Sequence, residues 1–398
     1  MKQESNQHVS SRPEFAGAGR PHIPLRSVSG GKGAIYPAEG RVLRDRWTGI
    51  SVRQVVTHPS IHHHPFVYQP AYDDAMQWLV FVSHRTGHPQ LFAEERSTGR
   101  LIQLTDRGDL NEWSIHPARD GRYVYFTAGR GAWRVSLHDF AEECYVHFGD
   151  VPMIPAGMVA EAMGTTTVSH DDRWWAVPVS QGKSATLNVI DTHTGDCQPI
   201  LEAKVIGHPE FHPRDASLLR YSGPYHSRMW FVRRDGSDHR LIYRRNEQKK
   251  EWIVHEVWNP LRPELLVVNW PHGTLGVDIE TGSVRHISPF PSWHISMSRD
   301  GRHMVCDTTF PDQGVHVLDP RNGHAEPRLL CESAATNQGD HWRSEHCPYD
   351  DGPVKVYAPQ HTHPHPSFAP DGKRIVFTSD RSGHAQIYEA VVDELLPC

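Results

Sequence analysis

The chain has 398 residues, of which 37% are hydrophobic and 22% charged, with a formal charge of -6. That length allows two average domains or one large closed architecture. The composition is that of a globular protein rich in turns, the charge leaves no basic footprint for a nucleic acid, and no apolar run approaches the ~18 residues of a membrane span.

The opening residues Met1 to Arg12 are polar, without the apolar core of an export signal, so a cytoplasmic location is expected. Residues 1–38 carry Gly, Ser and Pro with little periodicity and are expected to form an N-terminal arm, partly extended. The six cysteines (Cys144, Cys197, Cys306, Cys331, Cys347 and Cys398) lack C-x-x-C spacing, which signals neither a disulfide framework nor a thiolate zinc site. The 30 histidines are the compositional oddity. Imidazole is both a common metal ligand and a base near neutral pH.

From residue 39 onward one unit recurs, a turn feeding a β-branched and aromatic strand. It begins in degenerate form at Tyr72-Asp73-Asp74 before Trp78 to Phe81. It is clear at Ile115 to Arg122 before Tyr123 to Phe126, and at Val168 to Arg173 before Trp174 to Val177. Weaker copies stand at Phe211 to Asp215 and at Trp258-Asn259-Pro260 before Leu265 to Val268. Met297 to Arg302 and, most sharply, Phe368 to Arg374 before Ile375-Val376-Phe377 complete seven units. Second hairpins lie between them, as at Thr98-Gly99-Arg100 and Glu280-Thr281-Gly282. A four-stranded unit repeated every ~40 to 50 residues is the signature of a propeller, whose radial closure protects strand edges. Residues 39–398 are therefore expected to be all-β, a single seven-bladed β-propeller. The repeat stretches between Asp300 and Asp371, and the insert Asn337 to Asp351 is expected as a loop on a binding face.

Near the end, Gln360 to Pro366 places His361, His363 and His365 within five residues. If this run leads directly into a blade strand, His363 and His365 project to one side, with Pro364 on the other. Two imidazoles would then converge, although an isolated His-x-His also reads as a pair of polar loop residues.

Residues 204–398 resemble the oligogalacturonate lyase family. The likeness is carried by Gly207-His208-Pro209, Arg228-Met229-Trp230 leading to Asp235-Gly236-Ser237, His255-Glu256 before Trp258, His294 ahead of Asp300-Gly301, and Gln360 to Phe368 ending in Phe377 to Asp380. The resemblance implies a seven-bladed propeller that cleaves short pectic oligosaccharides by β-elimination around a divalent metal, manganese in that family. It maps the metal ligands onto His294, Gln360, His363 and His365, the base that takes the C5 proton onto His255, and a fixed cation beside the reacting carboxylate onto Arg228. His208 and His63 are implied as substrate-binding residues; the remaining members of the run His62-His63-His64 read as solvated. The implied partner is a uronate oligosaccharide, with no nucleic acid and no membrane.

The first half matches only in its blade grammar, and where the family carries His-Glu-Gly-Pro this chain has Tyr221-Ser222-Gly223-Pro224. Two alternatives stay open at this level. One is the same mechanism on another uronate-containing oligosaccharide, and the other a non-catalytic propeller that binds protein or glycan. A peptidase propeller lacks support, because no G-x-S-x-G hydrolase domain follows.

Overall fold

The computed structural model describes residues 30–149, 164–180, 183–309, 311–336 and 360–392. They form seven antiparallel sheets arranged as the blades of a propeller. Counting from the first innermost strand, blade 1 starts at His62–His63, blade 2 at His116–Pro117, blade 3 at Thr167–Val168 and blade 4 at Gly207–His212. Blades 5, 6 and 7 start at Trp252–Trp258, Ser292–Met297 and Ser367–Phe368. Each turn of the repeat joins an innermost strand to the next, so the seven sequence units correspond to the seven blades.

Alternation along the second strands explains why they read as continuous apolar runs. Leu79 and Phe81 pack against blade 7, whereas Val80 and Val82 pack against blade 2. Leu265 and Val267 likewise face blade 4 while Leu266 and Val268 face blade 6. A strand buried on both faces needs no polar alternation. Among the described residues, one apolar cluster fills each of the seven contacts between neighbouring blades.

The ring is closed by both ends of the chain. The N-terminal strands Arg41–Arg44 and Ser51–Gln54 are the outer strands of blade 7, where Val52, Arg53 and Gln54 pair with Ala390, Glu389 and Tyr388. Within the region expected as an arm, residues 1–29 lie outside the described residues, and Ile35–Tyr36 adds a fifth strand to blade 1 by pairing with Leu101 and Ile102. The insert Asn337 to Asp351 also lies outside the described residues.

Charge reinforces this closure. Glu389, 3% exposed, accepts from Arg53 at 2.6 Å, from Arg96 at 2.8 Å and from the Tyr72 hydroxyl at 2.8 Å. Burial opposes ionisation of Glu389, but Arg96 and Arg53 outweigh it and hold the carboxyl below its ordinary range. Both arginines also pair with the buried Glu94, so removing Glu389 leaves two cations to share one carboxylate in a dry site and the Tyr72 hydroxyl without its acceptor. Glu389→Ala is therefore expected to lower unfolding stability by on the order of 3 kcal/mol, read from the urea midpoint. Asp319→Ala, which breaks only the surface pair with Arg321, should leave that midpoint in place.

Candidate active site

The repeated turns set a common register around the central channel. The N–H groups of Ala118, Ser169, Asn259, Ser298 and Ala369 bond across their turns to Tyr123, Trp174, Glu264, His303 and Arg374. Four residues before these donors stand Ser114, Thr165, His255, His294 and His365. His208 holds the same place in blade 4, four residues before His212, which pairs with Asp215 across that blade's turn. Blades 4 to 7 thus each present an imidazole at one level of the channel.

The backbone is bent to aim them. Innermost strands break register between Gly207 and Glu210, Val254 and Val257, and Ser292 and Ile295. Such bulges redirect side chains and gather at active sites. His208, His255 and His365 have φ values of 48°, 55° and 46°, a left-handed conformation costing on the order of 1 kcal/mol for residues with a Cβ.

His294, His363 and His365 form the tightest group, with one nitrogen from each within 4.8 Å of the others. The His294 and His365 rings are 4.1 Å apart, and the His363 ring is 5.7 Å from His294 and 5.6 Å from His365. All three are buried. Burial first, then His64 for His294 and His294 for His365, pushes these two rings well below the ordinary imidazole value, so both are neutral lone-pair donors at pH 7. The expected strand alternation is not how His363 and His365 converge. Gln360–Thr362 is a 3-10 turn, pairing starts only at Ser367, and the left-handed backbone of His365 directs its ring. The side chain of Gln360 lies outside the described residues.

Sequence reasoning missed the residue that organises this group. Asp307 is fully buried in the second strand of blade 6 and accepts the His294 backbone N–H at 2.7 Å and the His294 Nδ1–H at 2.8 Å. It also accepts the His365 N–H at 3.1 Å. Burial raises its carboxyl to about 7 against the lowering effect of the His294 N–H and of His363. A carboxylate holding Nδ1–H commits the His294 Nε2 lone pair to the cluster, the outer-shell arrangement characteristic of metal-bound histidine. The available signal was a lone acid in the buried strand Met304–Thr308.

His255 adjoins the group, its ring 4.4 Å from that of His294. Its Nδ1 lies 2.5 Å from the Trp293 carbonyl, which can only accept, so Nδ1 carries the proton and Nε2 the lone pair. Burial, followed by His294 and Arg228, lowers its pKa well below the ordinary value. Arg228 is anchored through Nε to Glu256 at 2.8 Å. Glu256 is buried, also accepts from Ser222 at 2.8 Å, and lies 3.6 Å from Arg220. Burial works against its ionisation, but Arg228 and Arg220 hold its carboxyl below the usual range. Arg220 donates in turn to the His208 carbonyl at 2.9 Å, and the Tyr68 hydroxyl lies 2.6 Å from His208 Nδ1.

An aromatic plug, also unforeseen, closes the channel beside these rings. Phe66 stacks on His208 at 4.9 Å, lies 4.9 Å from His365, 5.9 Å from His294 and 6.3 Å from His255, and is 2% exposed. It packs with Val67 and Trp113. Beyond it, toward the turn ends of the innermost strands, is a cavity of about 140 Å³ lined by Tyr68, His116, Arg119, Glu210 and Arg299, which contains none of the clustered imidazoles.

His63 does not join the cluster. It stacks on Trp113 at 4.3 Å, and Trp113 in turn lies 5.8 Å from His365. The expected solvation of His62 and His64 is corrected, since both are buried; His62 Nε2 is 3.1 Å from Ser60 Oγ, and His64 Nε2 is 3.2 Å from the Pro364 carbonyl.

Comparison with known proteins bears on this geometry. A family profile described as oligogalacturonate lyase matches residues 31–396. The chain belongs to the oligogalacturonate lyase family. Its members are carbon–oxygen lyases, which sets aside the alternative of a non-catalytic propeller. It is 27% identical to the oligogalacturonate lyase of Dickeya dadantii, covering 88% of this chain and 95% of that protein. It is 26% identical to the oligogalacturonide lyase of Pectobacterium atrosepticum, covering 91% and 98%. The oligogalacturonate lyase structure from Vibrio parahaemolyticus superposes with a TM-score of 0.74 at 22% identity, over 91% of this chain and 98% of that one. A structure of an oligogalacturonate lyase in complex with manganese gives 0.74 at 24% identity, with the same coverage. Among the described residues, no helix is long and apolar enough to cross a membrane.

Three buried imidazoles around one point, one of them oriented by a carboxylate, fit a divalent transition ion in this lyase. Asp307→Asn keeps the shape but removes the charge and one acceptor. It is expected to weaken Mn²⁺ binding ~10–100-fold by isothermal titration, with the circular dichroism unchanged. Parent-like affinity would show that Asp307 serves folding alone.

Proposed function

We propose that the enzyme cleaves short oligogalacturonides by β-elimination, with His255 as the base that takes the C5 proton. The observation that carries this reading is the His255 tautomer. Its Nδ1–H is committed to the Trp293 carbonyl, and burial keeps the ring neutral, so Nε2 is a ready proton acceptor beside His294. A positioned base of this kind contributes ~10²–10⁴-fold to rate.

His294, His363 and His365 would hold the metal, with Gln360 added on the family resemblance; manganese is favoured by the relative solved in complex with it. When bound, the ion supplies a Lewis acid that draws charge from the substrate carboxylate and makes the adjacent C5 proton removable. Arg228, fixed by Glu256, offers guanidinium N–H groups to the same carboxylate, and its planar fork suits that anion better than a lysine would. The C5 proton passes to His255 Nε2, the C5–H electron pair becomes the C4=C5 double bond, and the C4–O bond breaks. The departing oxygen takes a proton from water. Phe66 and Trp113 keep water from the inner side of the site, and His208, bonded to Tyr68, would meet sugar hydroxyls. The free thiols Cys144, Cys197, Cys306 and Cys331 support a cytoplasmic location.

A second reading, another uronate-containing oligosaccharide, is favoured by one departure from the family pattern. Tyr221 and Ser222 replace a histidine and a glutamate. The Tyr221 hydroxyl turns to His239 at 2.7 Å, and Ser222 donates to Glu256. Turnover of a glucuronate-containing oligomer ahead of digalacturonate would select it.

The direct assay follows absorbance of the 4,5-unsaturated product from digalacturonate with Mn²⁺. His255→Ala should lose at least ~10²-fold in kcat while retaining metal, whereas His363→Ala should lose both metal and turnover. Equal metal loss in the two variants would remove His255 from the role of base.

A further inference from the structure

A second group of metal-ligating side chains is linked to the imidazole cluster through the Trp113 ring. His63 from the innermost strand of blade 1, His84 from the loop after its second strand and Glu112 at the entry to blade 2 bring three ligand atoms within 4.8 Å of one another. One oxygen, Glu112 Oε2, lies 2.9 Å from His84 Nε2 and 3.3 Å from His63 Nε2.

The His63 tautomer makes this arrangement informative. Its Nδ1 is 3.1 Å from the His64 carbonyl, which can only accept, so Nδ1 carries a proton and Nε2 is the nitrogen turned to Glu112. Nε2 faces a carboxylate oxygen, and the contact is satisfied either by a proton on Nε2 or by a metal cation held between the two atoms. His63 is 1% exposed and stacked on Trp113 at 4.3 Å, so it cannot rotate away without losing that contact. Donor atoms ~2.1 Å from one ion stand ~3.0 Å apart in octahedral and ~3.4 Å apart in tetrahedral geometry. The two nitrogen–oxygen separations, 2.9 and 3.3 Å, lie close to those values.

We propose that His63, His84 and Glu112 form a second divalent-metal site, distinct from the one at His294, His363 and His365. Two imidazoles and a carboxylate form a facial donor set that leaves open positions, and the ligand series places zinc above manganese for it. His84 and Glu112 are partly exposed, so an ion held there is reachable by an anionic ligand such as a sugar carboxylate.

The test is titration of the full chain, stripped by chelator, with Zn²⁺ and separately with Mn²⁺, counting tight equivalents by calorimetry and elemental analysis. Two equivalents of Zn²⁺ are expected for the parent. His84→Ala and Glu112→Gln should each remove one and retain the equivalent held by His294, His363 and His365. His363→Ala should remove the other and retain the one near Glu112. The equivalent that survives in each variant also reports that the ring is folded. The proposal is overturned if His84→Ala and Glu112→Gln both bind as many equivalents as the parent, or if His363→Ala binds none. Neither outcome depends on the substrate or on turnover, so failure here is separable from failure of the lyase reading.

Discussion

One carboxylate ties the last two blades together at the point where the chemistry is assembled. Asp307 accepts the backbone N–H and Nδ1–H of His294 in its own blade, and the backbone N–H of His365 in the next. A buried acid with three donors aimed at it is tolerable only while all three stay in place. The same bonds therefore fix the His294 ring, the His365 backbone and the offset between neighbouring blades. One side chain thus anchors a ring in one blade and the backbone beside a second ring in the next.

The ring supplies the rest of the precision. Closed through the pairing of Val52, Arg53 and Gln54 with Ala390, Glu389 and Tyr388, it leaves the innermost strands no freedom to slide outward. Equivalent positions in successive blades must then face one axis, and His208, His255, His294 and His365 occupy such positions. Register breaks and left-handed backbone convert a strand that would bury or expose its side chains alternately into one that points at the axis. The local strain is offset by the apolar clusters filling every contact between blades.

Polarity around the site is segregated. Phe66 and Trp113 give the imidazoles an apolar wall on one side, and Arg220, Arg228 and Glu256 form a charged support on the other. Burial keeps His255 and His294 neutral. Neutral nitrogens are what both metal ligation and proton abstraction require. Replacing the family's histidine and glutamate by Tyr221 and Ser222 leaves this support intact, because Ser222 remains bonded to Glu256.

The blade count was legible in the sequence, since each turn of the kind Ala369 to Gly372 is closed by bonds among residues a few positions apart. Gly121, Gly301 and Gly372, with φ near 70°, mark three of these turns, and Asp172 at 59° fills the same place in blade 3, where its carboxylate accepts the Arg119 and Asp120 N–H groups. The site histidines were legible as a family pattern. Their common place, three residues before Phe211, Trp258, Met297 and Phe368, is also readable from the chain once the blades are aligned. Asp307, the Phe66 plug and the burial of His62 and His64 were not, and neither was the loss of strand alternation at His365. Those features depend on which segments meet after closure, between residues up to 300 apart as in the bond from His64 to Pro364. Local hydrogen bonding writes itself into neighbouring residue types; contact across a closed ring leaves no such trace until the ring exists.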